Sequence, residues 1–343
     1  MKKKALITGV SGQDGSYLAK FLLSKNYIVI GTDRRSSRND LWRLQFLDIS
    51  KKIIYEELEL SEMNEIIRIF NKYDFDEVYN LAAQSFVATS FNSPIDTSNI
   101  NALGPLRILE VIRNQKRKIK FYQASSSEMF GKVLSTPQDE KTIFNPQSPY
   151  AISKVFSHYI TKNYRESYNI YAVSGICFNH ESPLRGEEFI TRKITNGISK
   201  ISVGQLKCLE IGNIYAKRDW GFAGEYVEMM WKMMQQKKPQ DFIISTGKNY
   251  SVKYFIEECL KHANIKYFWS GSGLKKKLIN KANNKVIIKI NPKYFRPSEV
   301  HSLLGNPKKA MKILKWKPKV SFKELIKIMM DADLKRAKSK IES

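Results

Sequence analysis

Thr8-Gly9-Val10-Ser11-Gly12-Gln13-Asp14-Gly15 follows a short apolar run, Lys4-Ala5-Leu6-Ile7-Thr8, and precedes an apolar pattern through Tyr17, Leu18, Phe21 and Leu22. The run predicts a buried strand, the glycines a sharp turn, and the later residues a helix. Tyr27-Ile28-Val29-Ile30-Gly31 predicts a second strand. A strand–helix–strand crossover starts a parallel sheet. The spacing Gly-x-x-Gly-x-x-Gly lets the backbone turn tightly, so that N–H groups and the positive end of the helix can approach a pyrophosphate.

The alternation continues outward. Helix is expected around 66–70, strand at 77–81, helix at 103–112, strand at 120–124, helix from 150 to about 167, and strand at 172–174. That order predicts an α/β fold with a doubly wound, Rossmann-like parallel sheet. We assign residues 1–178 to a dinucleotide-binding domain, to which some later segments return. Residues 179–330 form mainly a smaller, mixed α/β substrate-binding lobe with helices at 191–203 and 252–263. The Lys/Asn-rich stretch 275–285 is expected as a mobile loop, and residues 331–343 as a charged helical tail.

Composition narrows the class. A chain of 343 residues with 42% hydrophobic content can bury a sizeable core. Its three cysteines, Cys177, Cys208 and Cys259, are far apart and odd in number, which predicts reduced thiols and a cytoplasmic protein. No zinc-type spacing occurs, and the four histidines form no cluster, so no metal is expected. The apolar run after Met1-Lys2-Lys3-Lys4 is too short for a secretory signal, and no stretch approaches the length of a membrane span. The net charge of +25 raises the question of nucleic acid. Its lysines are scattered and no nucleic-acid motif accompanies them, so a lysine-rich surface is the reading; a phosphate-bearing substrate would profit from the same field.

Chemistry concentrates in two places. In Ser148-Pro149-Tyr150-Ala151-Ile152-Ser153-Lys154, Tyr150 and Lys154 are four apart on a predicted helix and share a face. A lysine there favours the phenolate and is expected to lower the Tyr150 pKa towards a useful base. Upstream, Ser125-Ser126-Ser127-Glu128 ends a central strand and so faces the ligand crevice of this architecture. Ser126 can bond a substrate hydroxyl, and Glu128 offers a second proton transfer that a simple alcohol oxidation does not need. After the second strand, Asp33-Arg34-Arg35-Ser36 sets adenine-ribose selectivity. The arginines favour NADP, while Asp33 leaves NAD open.

The glycine spacing resembles that of the extended short-chain dehydrogenase/reductase superfamily. Within it, the chain closely resembles the GDP-mannose 4,6-dehydratase family, through Tyr79-Asn80-Leu81-Ala82-Ala83-Gln84-Ser85, Phe121-Tyr122-Gln123-Ala124-Ser125-Ser126-Ser127-Glu128, Phe178-Asn179-His180-Glu181-Ser182-Pro183, Thr191-Arg192-Lys193-Ile194, Arg218-Asp219-Trp220-Gly221 and Tyr294-Phe295-Arg296-Pro297-Ser298-Glu299-Val300. The resemblance implies a redox-neutral hydro-lyase. Tyr150, tuned by Lys154, takes the O4 proton as C4 hydride passes to the nicotinamide. Glu128 takes the C5 proton, water leaves from C6, and the hydride returns there. Related dehydratases of other sugar nucleotides carry Asp-Glu where this chain has Ser127-Glu128, which supports a GDP-sugar. Ser126 stands where the family usually has Thr.

By the same resemblance, Thr8, Gly9, Gly12, Gln13, Asp14, Gly15, Asp33, Arg34, Arg35, Ser36, Glu57, Leu58, Leu81 and Ala83, with Tyr150 and Lys154, are expected at the cofactor. Ser85, Asn179, Glu188, Lys193, Arg218, Arg296 and Glu299 are expected at the substrate. His180 reads as a satisfied interior imidazole and Trp220 as packing. Two departures stand out: Glu56-Glu57-Leu58 replaces the family's Gly-Asp-Leu, and the loop from Arg38 to Arg43 diverges where the family builds a tetramer. A homo-oligomer, dimer or tetramer, is still expected. A GDP-manno-heptose dehydratase would share these catalytic residues. An epimerase or reductase would not need Glu128, and a non-catalytic dinucleotide-binding protein would be free to lose Tyr150 and Lys154.

Overall fold

Ala5 and Ile7 point to one face of their strand and Leu6 to the other, and all three are fully buried. A strand covered on both faces reads as a continuous apolar run, which is what parallel sheets require. In the computed structural model, which describes residues 1–37, 41–295 and 298–339, the strands are β1 (Lys4–Thr8), β2 (Ile28–Asp33), β3 (Ile54–Glu57), β4 (Glu77–Asn80), β5 (Lys120–Ser126), β6 (Ala172–Cys177), β7 (Asn179–Glu181), β8 (Leu209–Ile211), β9 (Lys217–Arg218), β10 (Trp220–Phe222), β11 (Phe242–Ile244), β12 (Tyr250–Ser251), β13 (Tyr267–Ser270), β14 (Lys277–Asn280) and β15 (Val286–Ile290). The helices are α1 (Gln13–Ser24), α2 (Trp42–Phe46), α3 (Met63–Lys72), α4 (Val87–Asn92), α5 (Pro94–Ser98), α6 (Gly104–Arg113), α7 (Pro149–Tyr168), α8 (Ile190–Ser202), α9 (Ala223–Met234), α10 (Val252–His262), α11 (Lys308–Leu314) and α12 (Phe322–Ser339).

Seven strands form the main sheet in the order β11-β6-β5-β4-β1-β2-β3, with every pairing parallel. The α/β, doubly wound reading therefore holds. α1 and α9 pack on one face of the sheet; α3, α6 and α7 pack on the other. The winding reverses between β1 and β4, and the carboxyl ends of strands at such a point frame a ligand crevice. α7 begins where Ser148 Oγ accepts the Ala151 N–H at 3.1 Å and Pro149 takes the first helical position. It ends at Asn169, whose left-handed φ of 54° stops the helix.

A second core gathers α8, α10 and α12 around β8, β14 and β15. α9, β11 and α11 lie beyond residue 178 in sequence yet pack with the main sheet. Two expectations need correction. The stretch 275–285 is not an irregular loop throughout, because β14 pairs antiparallel with both β13 and β15. Leu278 is buried there, and Leu278 and Ile279 among lysines pair with two partner strands. Residues 331–339 are helical but are not a tail: they are the last turns of α12, and Asp333 and Ala337 are buried against the rest of the protein.

One buried hydroxyl joins the ends of two central strands. Thr8 Oγ1 donates to Asn80 Oδ1 at 2.7 Å and accepts the N–H groups of Leu81 and Ala82, each at 3.2 Å. Thr8→Val keeps the shape and strands those partners, so urea unfolding should show a loss of about 1–3 kcal/mol. Unchanged stability would contradict this account of the strand ends.

Candidate active site

The glycine turn is built by close approach. Gly9 has φ +73°, and a Cβ on it would stand 2.8 Å from the Ala82 backbone. A Cβ on Gly15 would stand 2.2 Å from the Gly9 carbonyl oxygen. Only glycine fits at either place. Gly12 is the N-cap of α1, so the open N–H groups of the helix face the space beyond the turn. Asp33 accepts the Ser11 N–H at 3.0 Å and thereby ties β2 to the turn.

A cleft of about 540 Å³ opens there. Gly9, Gly12, Gln13, Asp14, Gly15, Asp33, Arg34, Leu58, Leu81, Ala83 and Ser85 all line it, so most of the expected cofactor residues meet in one place with Ser85 beside them. Six do not line it: Tyr150 and Lys154, which enter from α7, and four others. Thr8 lies beneath, buried. Arg35 and Ser36 are exposed. Glu57 is exposed on the edge strand, while Glu59 and Leu60 line the cleft with Leu58. Of the two acidic residues flanking Leu58, Glu59 rather than Glu57 thus faces the cleft. The wall at residues 81–85 has a support that the sequence reading missed. A π-helical turn at Asn99–Leu103 precedes α6 and carries Asn101, which exchanges two hydrogen bonds with the Gln84 backbone at 2.9 and 3.0 Å.

Ser126 closes β5 and accepts the Glu128 N–H at 3.2 Å, capping a short 3-10 turn, Ser127–Phe130. Glu128 is buried in that turn. Tyr150 and Lys154 enter the same region from α7 and are 8% and 3% exposed. Ser126 hydrogen-bonds the Tyr150 side chain, and the Glu128 charge acts on it. The four candidate catalytic residues therefore converge. The expected electrostatics do not hold. Burial pushes the Tyr150 phenol up to about 12; the Ser126 bond opposes this, and the Glu128 charge adds to it. Lys154 donates to Ala124 O at 2.9 Å, with its ammonium 5.8 Å from the Tyr150 ring centre. Burial lowers Lys154 itself to about 8. Desolvation outweighs the charge of one neighbouring lysine, which spacing alone does not show.

The sequence reading also missed Arg185. It lines the cleft, its guanidinium lies 3.7 Å over the Phe189 ring, and its charge acts on Tyr150 and Asp14. The available signal was its place two residues beyond the Phe178–Pro183 motif. His180 is a satisfied imidazole: Nδ1 bonds Phe178 O and Nε2 bonds Asp14, both at 2.7 Å. Although burial opposes it, Asp14 raises the His180 pKa. His180 in turn holds the Asp14 carboxyl down.

The expected substrate residues fall into small groups. Asn179 sits on β7 with its Oδ1 buried and unpartnered. Lys193 is 3.3 Å over the Tyr294 ring. Arg218 lies 3.7 Å from Glu299. Glu188 is exposed in the turn before α8. Arg296 lies outside the described residues.

The Lys154 shift has a thermodynamic consequence. Its folded pKa of about 8 lies below the ordinary 10.5, so folding disfavours the charged form. The cost is full below about pH 8 and disappears as pH rises towards 10.5. Lys154→Met should be the more stable protein at pH 7, by at most about 3 kcal/mol. That advantage should shrink between pH 8 and 10.5. Urea unfolding across the range checks it, and a flat difference would contradict the burial of a charge at this position.

A family profile described as GDP-mannose 4,6 dehydratase matches residues 6–329. The chain is 47% identical to a GDP-mannose 4,6-dehydratase of Vibrio cholerae serotype O1, over 98% of this chain and 95% of that protein. It is 45% identical to a GDP-mannose 4,6 dehydratase of Dictyostelium discoideum, covering 98% of both. Among solved structures, an epimerase of Methanothermobacter thermautotrophicus shares the fold with a TM-score of 0.83 at 20% identity, over 100% of this chain and 95% of that one. Its matching family profile and its relatives at this identity place the chain in the GDP-mannose 4,6-dehydratase family.

Proposed function

We propose that the chain converts GDP-mannose to GDP-4-keto-6-deoxymannose and water, with NADP as its nicotinamide carrier. The observation that carries this reading is the meeting of Glu128 with Ser126, Tyr150 and Lys154 at the end of β5. A second carboxylate beside the Tyr–Lys pair is what separates dehydration from simple redox chemistry. Full-length relatives named for this activity support it. The heptose, epimerase, reductase and non-catalytic readings gain no such support.

The glycine turn, Asp14 and Arg34 line a cleft shaped for a dinucleotide. Asp33 already serves the Ser11 N–H, and Arg34 stands in the cleft, which supports NADP over NAD. When bound, the oxidised nicotinamide would supply a cationic ring and a reversible hydride acceptor beside the sugar. The chain supplies the rest. Ser126 holds the O4 hydroxyl, and Tyr150 takes its proton. With the phenol near 12 in the free protein, the phenolate depends on positive charge brought into the cleft. Glu128 removes the C5 proton made acidic by the C4 ketone and passes a proton to O6 as water leaves. Asn179, Glu188, Lys193, Arg218, Arg296 and Glu299 bind the GDP and sugar oxygens.

We place the protein in a reducing cytoplasm, in keeping with its three free thiols. Among the described residues no helix is long and apolar enough to cross a membrane. It forms a homo-oligomer through α7, where Ile152, Phe156 and Tyr159 leave an exposed apolar stripe at helical spacing.

Purified protein given GDP-mannose and catalytic NADP in deuterated water should lose water from the sugar, place deuterium at C5 and accumulate no NADPH. Inversion without mass loss, or no turnover, would overturn the reading. Glu128→Gln should keep NADPH affinity and lower kcat by about 10²–10⁴. For the assembly, Phe156→Glu should shift light-scattering mass towards the monomer; a mass equal to the parent protein would exclude α7 as the contact.

A further inference from the structure

The segment from Ser182 to Arg185 is bonded from two sides. Towards the glycine turn, Ser182 Oγ donates to Gln13 Oε1 at 2.7 Å. Arg43 of α2 donates to Leu184 O at 2.6 Å and to Ser11 O at 3.2 Å. From the opposite side, Arg192 of α8 uses one nitrogen, Nη1, to reach both Pro183 O at 3.0 Å and Arg185 O at 2.9 Å. The rest of that guanidinium belongs to Asp333 of α12, through Nε at 2.8 Å and Nη2 at 2.7 Å.

Both partners are deeply buried, with side chains 3% and 1% exposed. A buried ion pair is a poor way to hold two helices together, because desolvation consumes most of the attraction and an apolar pair would serve as well. What a planar guanidinium adds is direction: it bonds a carboxylate and two carbonyl groups at fixed angles at once. Thr195 and Arg336 occupy further acceptor positions of Asp333, at 2.7 and 2.9 Å, so the carboxylate itself cannot turn.

The consequence lies at Arg185, whose carbonyl is held by Arg192 while its guanidinium lines the cleft. We propose that Asp333, 141 residues beyond Arg192 in sequence, is a positioning residue for the cleft. It orients Arg192, which fixes the Pro183 and Arg185 carbonyls and so sets the backbone from which the Arg185 side chain reaches Glu181, at 3.3 Å, and the cleft. The C-terminal helix is thereby part of the cofactor site without touching it. This rests on reading that cleft as the NADP site.

The test is NADPH binding, followed by fluorescence, in the full-length protein. Arg192→Met with Asp333→Leu replaces the pair by apolar groups of similar size, and melting should stay near that of the parent protein. NADPH affinity should nevertheless fall about tenfold. Arg192→Lys is the companion should that double variant not fold: it keeps a charge for Asp333 but cannot span both carbonyls, and it should lose affinity as well. Arg185→Ala should weaken NADPH about tenfold or more, and adding it to the Met/Leu pair should cost no more than Arg185→Ala alone. Parental affinity in the Met/Leu or Lys variants overturns the proposal. So does full additivity, or an Arg185→Ala variant that binds normally. Turnover of GDP-mannose by the parent protein, measured in the same series, decides the dehydratase reading separately.

Discussion

Gly15 and Gly9 occupy places where a side chain would collide with backbone, and the cofactor side of the molecule depends on that approach. Because the turn can fold against Ala82, β1 and β4 end together at the reversal of the sheet. Thr8 then satisfies the first two N–H groups of the 81–85 segment, and Asp33 satisfies one in the turn. Buried backbone groups need partners, and here each partner is a short side chain at a strand end. The open N–H groups at the start of α1 are left facing the cleft.

The second constraint is burial of charge. Tyr150 and Lys154 lie in surroundings that penalise their ionised forms, and the Glu128 charge adds to the penalty on Tyr150. A site of that kind is costly in the free protein and responsive to any charge that enters it. The Asp14–His180 pair shows the opposite balance: against burial, mutual attraction and hydrogen bonds lower the Asp14 pKa and raise that of His180. In the two buried clusters the same burial is thus opposed to different degrees by the neighbouring charges.

The two units meet through polar bonds rather than a shared apolar face alone. Gln13, Asp14 and Arg43 reach into the segment 180–184, and Arg192 with Asp333 holds the next residues from behind. Directional bonds fix positions more closely than apolar contact does, because their angles matter as well as their distances. Arg185 is the side chain that this bracing presents to the cleft.

Much of this protein was determined by its sequence alone. Strand and helix periodicity, with the glycine turn, specified the α/β sheet, because both follow from local backbone geometry and burial pattern. The motifs around Ser126, Glu128, Tyr150 and Lys154 carried the family resemblance for the same local reason. Tertiary structure alone decided the rest. The rise of the Tyr150 pKa depends on how deeply folding buries it. β14 emerged from a lysine-rich stretch only because β13 and β15 were there to pair with it. Arg185, Asn101 and Asp333 acquire their places from partners distant along the chain. Spacing in a sequence reports neighbours within a turn or a strand; desolvation and long-range bonds exist only after the chain has closed on itself.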